Sequence, residues 1–187
     1  MKPFSHGALV GVLLAWIAAN AVAQEGQWKT MEIRDLRERS STDVLQTKIW
    51  SAEVRAQNDY VQNELGRSLG GRNALISASV ATFAMGEQQL LVSALTSRDC
   101  DNGANHNASG REASVCPLKI ALVSSGTVQV IQTDTGCLVE PAEPGAPLAN
   151  QHDSVQVQFD PNRRILRMRA LVGGQWVSSC SREFRVP

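Results

Sequence analysis

Two cysteines bracket the stretch of this sequence with the most chemical potential, SRDCDNGANHNASGREASVC at positions 97–116. A thiol beside a histidine is the arrangement of a nucleophile and its base, and Cys100 with His106 would be the pair here. The same stretch concentrates the carboxylate and amide oxygens that calcium prefers. Three hypotheses follow for this loop: a catalytic thiol, a calcium site, or a polar surface loop closed by a disulfide.

The calcium hypothesis fails for an EF-hand, which leaves only a less regular calcium site as an alternative. The oxygen-bearing residues of the loop are Asp99, Asp101, Asn102, Asn105 and Asn107. An EF-hand loop that began at Asp99 would need Gly at its sixth position and Glu at its twelfth, where this chain has Ala104 and Gly110. Asn, Asp and Gly are also the residues that exposed turns require. The sequence therefore predicts no metal site and no cofactor.

The two histidines that could act as a catalytic base are His106 and His152, each in a polar loop. No G-x-S-x-G, H-E-x-x-H, S-x-x-K or P-loop pattern accompanies them. A hydrolase with His106 or His152 as its base is therefore the weaker alternative, and no catalytic residue is predicted.

The four cysteines predict disulfides. They are Cys100, Cys116, Cys137 and Cys180, and no two of them have the C-x-x-C spacing of a zinc site. Four cysteines allow three pairings. We favour Cys100–Cys116, which closes a turn-rich loop, together with Cys137–Cys180, which would link two strands.

The first residues of the chain predict export. Lys2 precedes an apolar run of about a dozen residues, and Ala21-Val22-Ala23 forms an A-x-A cleavage site. This is the layout of a secretory signal peptide over residues 1–23. We expect a periplasmic or secreted protein with no stable membrane span after cleavage, since no later segment is apolar enough to cross a bilayer.

The charge balance excludes one class of partner. The chain has 18 basic and 18 acidic residues and is 43% hydrophobic. A neutral chain lacks the basic field that binds nucleic acid or an anionic membrane surface. Its apolar share is enough for a packed core.

Residues 24–71 predict a helical segment of one or two amphipathic helices. Arg34 and Glu38, like Asp35 and Arg39, are four residues apart, as helical ion pairs are. One apolar stripe recurs at three- to five-residue spacings and comprises Leu45, Ile49, Trp50, Val54, Val61 and Leu65. Gly70-Gly71 should end the helix.

Residues 72–187 predict a β-rich domain. Residues 74–96 flank Gly86-Glu87 and fit either a hairpin or an apolar helix. Val155, Val157 and Phe159 alternate with polar residues, which is typical of a strand with one buried face. Short strands and tight turns favour an antiparallel β-sandwich or small barrel. The predicted class is thus α+β, braced by disulfides.

Three surfaces are candidates for binding a partner. The first is a set of aromatic anchors on the helical segment, Trp28, Trp50 and Tyr60. The second is the 97–116 loop closed by a disulfide, here called the clasped loop, with Asp99, Asp101, His106 and Arg111. The third is a basic strand face with Arg167 and Arg169, which suits an acidic protein or an anionic glycan.

These features favour an exported protein-interaction module without enzymatic activity, such as an accessory subunit of an envelope assembly or secretion machine. Its partner would be a protein of the cell envelope or a secreted target, with self-association through the helical stripe as a variant. The alternative is a small inhibitor or immunity-type protein that binds a cell-wall hydrolase or toxin through the 97–116 loop.

Overall fold

A computed structural model describes residues 26–37, 44–106, 112–139, 148 and 150–187. Within these ranges the chain is mostly β-sheet, with eleven strands in two antiparallel sheets. The strands are β1 Lys29–Thr30, β2 Glu32–Asp35, β3 Ser77–Met85, β4 Gln88–Thr96, β5 Asp101–His106, β6 Glu112–Ser124, β7 Thr127–Leu138, β8 Ser154–Asp160, β9 Ile165–Val172, β10 Gln175–Trp176 and β11 Arg182–Arg185. The predicted signal peptide lies outside the described ranges.

The two sheets differ in size. The large sheet has the order β2-β3-β4-β6-β5, with β7 paired to the other edge of β6. The small sheet has the order β1-β8-β9-β10, with β11 also paired to β9. They are separate open sheets, so the described strands do not form the small barrel that the sequence left open.

A common core joins the sheets. Side chains from both inner faces meet in one buried cluster, which includes Leu90, Leu118, Val157, Leu166 and Met168. The second disulfide, Cys137–Cys180, lies in this cluster and ties β7 of the large sheet to the turn before β11 of the small sheet. The first, Cys100–Cys116, ties the start of the 97–116 loop to β6. Both predicted pairings are confirmed.

Residues 74–96, which the sequence left open between a hairpin and an apolar helix, contain the hairpin of β3 and β4. β3 and β4 pair in register around Gly86-Glu87, where Gly86 has a φ of 63° that suits glycine. β6 and β7 pair around Ser125-Gly126, both of which have positive φ, as two-residue hairpin turns of the primed types require.

The prediction of a helix from residue 24 onward is wrong over residues 29–35. β1 pairs with β8 and β2 pairs with β3, so this segment crosses from the small sheet to the large sheet at Met31. The Met31 side chain enters the core, and its N–H donates to the Val155 carbonyl at 2.8 Å. Strand pairing thus outweighs the helical spacing of charges, which is worth only a few tenths of a kcal/mol per pair. The predicted boundary at residue 71 separates elements that are hydrogen-bonded to each other.

Among the described residues of the predicted segment, helix comprises α1 Val44–Ile49, α2 Ser51–Asp59 and a π-helical turn, Tyr60–Glu64. Ile49, Trp50 and Val54 of the predicted stripe are buried against the outer face of the large sheet, whereas Leu65 is exposed. The stripe therefore packs on the same chain. No helix in the described part of the chain is long and apolar enough to cross a membrane.

Candidate functional site

Strands β8 and β9 carry a ladder of polar side chains on the outer face of the small sheet. Gln156 lies opposite Arg169, and Gln158 lies opposite Arg167. Directly opposed residues of an antiparallel pair share a face, and their sequence neighbours point to the other one. The intervening apolar residues fill the core, so both glutamines and both arginines face outward.

Arg169 is held in place by two neighbours. Its Nε and Nη2 atoms donate to Gln156 Oε1 at 2.9 and 2.7 Å. Its guanidinium carbon lies 4.0 Å from the ring centroid of Trp28, within the distance of a cation–π interaction. Neither neighbour is charged, and no carboxylate of the described residues forms an ion pair with Arg169. Its positive charge is therefore fixed in position, and no described residue compensates it by an ion pair.

Arg167 differs from Arg169 in this respect. Its Nε donates to Glu183 Oε2 on β11 at 3.1 Å, and the two residues are opposite each other in the sheet. Its Nη1 lies 3.5 Å from Gln158 Oε1, at the long limit for a hydrogen bond. The charge of Arg167 is thus compensated within the fold.

Two further residues complete the surface. The Trp176 side chain on β10 is 61% exposed, and its Nε1 donates to Ser181 Oγ at 3.1 Å. Arg182 Nη1 donates to the carbonyl oxygens of Ser179 and Ser181 at 2.9 and 3.0 Å. Like Arg169, Arg182 has no carboxylate partner in the described part of the chain.

A depression of about 320 Å³ lies beside these residues at the small sheet. Its lining comprises Trp28, Arg167, Met168, Arg169, Trp176, Ser181, Arg182 and Glu183. We call this surface the arginine–tryptophan face. A guanidinium is a planar fork of donors that matches a carboxylate or phosphate, and an indole offers apolar area. The arrangement can therefore bind an anionic group flanked by apolar groups.

Three of the predicted partner-binding residues meet on this face: Trp28, Arg167 and Arg169. Sequence reasoning missed Trp176 and did not connect Arg182 with Trp28. The sequence did contain a sign that Trp176 is exposed, because it follows Gly173-Gly174 and Gln175 in a turn-rich stretch. In the structure its strand has only two residues, so little of the sheet surrounds its ring.

The other predicted aromatic residues lie on or near the helices. Trp50 is fully buried and donates from its indole Nε1 to Ser93 Oγ at 2.8 Å. Tyr60 is half-buried, and the Arg98 guanidinium lies 4.5 Å from its ring centroid. Trp50 therefore contributes to the interior, and Tyr60 contacts the base of the 97–116 loop.

The loop residues lie apart from the arginine–tryptophan face. Asp99 and Asp101 are exposed, and Asp99 Oδ1 is 3.8 Å from Arg98 Nε. His106 ends β5, and Arg111 lies outside the described residues. The disulfide closes this loop at its base, and Asp99 and Asp101 do not line the arginine–tryptophan face.

The described ranges contain few side chains that could take part in catalysis or metal binding. His152 is exposed in a turn, where its Nε2 lies 3.4 Å from Gln151 Nε2. All four cysteines are in disulfides. Across residues 26–37, 44–106, 112–139, 148 and 150–187, no group of three or more His, Cys, Asp or Glu side chains is placed to hold a metal ion.

In comparisons with known proteins, no family model, curated protein or solved structure matches the chain.

Proposed function

We propose that this protein is an exported interaction module without enzymatic activity, and that it binds an acidic segment of a partner protein on the arginine–tryptophan face. One observation carries the proposal. Arg169 is fixed by Gln156 and Trp28, yet no carboxylate in the described structure compensates its charge. The two disulfides are consistent with an oxidising, extracytoplasmic environment.

The chemistry of the face favours a polypeptide ligand. Arginine and tryptophan are the residues most enriched at the energetic centres of protein interfaces. The depression is small and open beside the exposed Trp176, whereas small-molecule sites usually enclose most of their ligand. Carboxylate side chains that alternate with apolar ones would contact the guanidinium groups and the indole rings together.

The fixed position of Arg169 should raise affinity. A side chain that is already ordered loses less entropy on binding than one that must be immobilised. Fixed, uncompensated positive charge also accelerates the encounter with an acidic partner. We therefore expect Arg169 to contribute more to binding than any exposed arginine of the turns.

A defined probe tests the proposal directly. A labelled peptide of alternating glutamate and leucine is titrated with the mature protein, and binding is followed by fluorescence anisotropy. Arg169→Glu should weaken binding at least tenfold, which corresponds to about 1.4 kcal/mol. Arg163→Glu is the matched control, since it makes the same charge change in a turn where the side chain is 72% exposed.

Two results would contradict the proposal. Equal weakening by Arg169→Glu and Arg163→Glu would indicate a general effect of net charge rather than a site. Binding of polygalacturonate with no binding of the peptide would assign the face to an anionic glycan. A photo-crosslinking amino acid in place of Trp176 then tests the native setting, where the captured protein must contain an acidic segment that binds the face.

The clasped loop is a second candidate for binding. Its confirmed disulfide, Cys100–Cys116, holds the two ends of the loop together, and a loop ordered in advance binds at a lower entropic cost. In this second proposal, the loop inserts into a cell-wall hydrolase or toxin and inhibits it. Deletion of residues 101–111 should abolish such inhibition while the Arg169→Glu variant retains it.

A further inference from the structure

One edge of strand β7 is unpaired among the described residues. It pairs with β6 from Thr127 to Leu138, and no other strand of the described chain pairs with β7. The N–H and C=O groups on the second edge of a strand are hydrogen-bonding groups that another strand can satisfy. β7 is thus a template for strand addition.

The other outer strands of the described chain are short, charged or irregular. β10 has two residues, and β5 has six with a shift in its register against β6. β1 has two residues, and β2 has four, of which Glu32, Arg34 and Asp35 are charged. β11 also has four residues and three charges. Short length, charge and bulges are the usual protections against edge-to-edge pairing, and β7 has one bulge, at Ile131. β7 has 12 residues with the sequence TVQVIQTDTGCL, and Asp134 is its only charged residue.

The open part of β7 is its first nine residues. Beyond them, Gly136, Cys137 and Leu138 are buried, and the disulfide to Cys180 fixes this end in the core. The residues from Thr127 to Thr135 are exposed or half-buried, with Val130 41% exposed. The register with β6 shifts at Ile131, which packs against the core. The open part is therefore anchored at both its centre and its end.

We propose that β7 is a homodimer interface, in which the open edges of two copies pair antiparallel about a two-fold axis. An axis between residues 130 and 131 places Gln129 opposite Gln132 of the second copy. It also places Thr127 opposite Asp134, which keeps the two carboxylates apart. The edge is thus self-complementary in charge and side-chain type, as a two-fold interface must be.

A charge at the axis tests this interface. The mature protein is examined by sedimentation equilibrium over a range of concentrations, and dimerisation is expected. Val130→Lys should weaken dimerisation at least tenfold, because it brings two ammonium groups together beside the axis. Gln89→Lys is the matched control: it adds the same charge at an exposed position of β4, which is paired on both edges, and it should leave dimerisation unchanged.

Hydrogen exchange locates the interface independently of the variants. Backbone amides within residues 127–135 should become more protected as the concentration of the wild-type protein rises. A second variant, Gln129→Lys, guards against misfolding of Val130→Lys: it should also weaken dimerisation, and both variants should melt near the wild-type temperature. A protein that stays monomeric at its highest soluble concentration would overturn the proposal. So would a dimer that Val130→Lys leaves intact, or one whose protected amides lie outside β7.

Discussion

The outer faces of the two sheets use the same pair of groups for different purposes. On the large sheet, Lys119 Nζ lies 4.4 Å from the ring centroid of Trp50, the residue between α1 and α2, and contacts both helices. On the small sheet, Arg169 lies 4.0 Å from the ring centroid of Trp28 with no element above it in the described structure. Each face therefore joins a cation to an indole, but only one is closed.

The covered face pairs its cation and its indole internally. Ser93 Oγ accepts from the Trp50 indole and donates to Gln46 Oε1 at 2.7 Å. Lys119 Nζ donates to Glu53 Oε1 at 2.6 Å and to the Ile49 carbonyl at 3.0 Å. Buried polar groups stabilise a structure only when they are paired in this way. Both faces thus have a cation in contact with an indole. They differ in that the cation of the structural face has an ionic partner, whereas the cation of the proposed binding face has none among the described residues.

Loss of the buried indole should have the largest effect. Trp50→Ala should lower the free energy of unfolding by about 3–5 kcal/mol, because it leaves a cavity beneath the helices. Trp176→Ala, on the open face, should change it by no more than about 0.5 kcal/mol. Urea unfolding followed by circular dichroism measures both. Similar losses in the two variants would break the distinction between the faces.

The two cations should differ in the same direction. Lys119→Met keeps most of the aliphatic stem but leaves the Glu53 carboxylate without its cation, and its Oε2 atom already accepts no hydrogen bond in the described structure. We expect a loss of about 1–3 kcal/mol in unfolding free energy. Arg169→Met should lose less than about 1 kcal/mol, since its neighbours are uncharged.

The affinity for the acidic peptide should change in the opposite order to the stability of the same two variants. Arg169→Met should weaken binding of the acidic peptide, and Lys119→Met should leave it unchanged at temperatures where the variant is folded. If Lys119→Met proved the weaker binder, the proposed site would lie on the wrong sheet.

The contrast between the faces also explains which strands could be predicted from the sequence. β8 and β9 alternate between apolar and polar residues because one face is open, and the sequence indicated both strands correctly. β4 is buried at six consecutive positions, since the core covers one face and the helices cover the other. A continuous apolar run fits a strand or a helix, and so residues 74–96 could not be assigned from periodicity alone.

The N-terminal strands and the binding face show where local pattern is insufficient. Residues 29–35 pair with strands that follow them by more than forty positions, and no short window contains that information. Arg167 and Arg169 were placed on one face by their spacing. Their meeting with Trp28 and Trp176 depends on strand order, which the sequence did not determine.

A smaller prediction concerns an ion pair at the edge of the covered sheet. Partial burial acts to raise the pKa of Asp35, but hydrogen bonds and the charge of Arg37 outweigh it and hold this pKa below the usual aspartate value. The Arg37 backbone N–H and Nε donate to the two carboxylate oxygens at 2.9 and 2.7 Å. Both side chains are partly exposed, so solvent screens the pair and its contribution should be only about 0.5 kcal/mol.

The sign of the pH dependence follows from the direction of the pKa shift. A carboxyl group with a depressed pKa in the folded state stabilises the fold above its unfolded pKa of about 3.9, and this stabilisation is lost as the pH falls through the folded value. Asp35→Asn should therefore be less stable than wild type at pH 7, and the two proteins should converge in strong acid. Urea unfolding at a series of pH values measures this difference. A gap that stayed constant with pH would mean that the ionised carboxylate contributes nothing, and that this edge of the large sheet is stabilised by strand pairing alone.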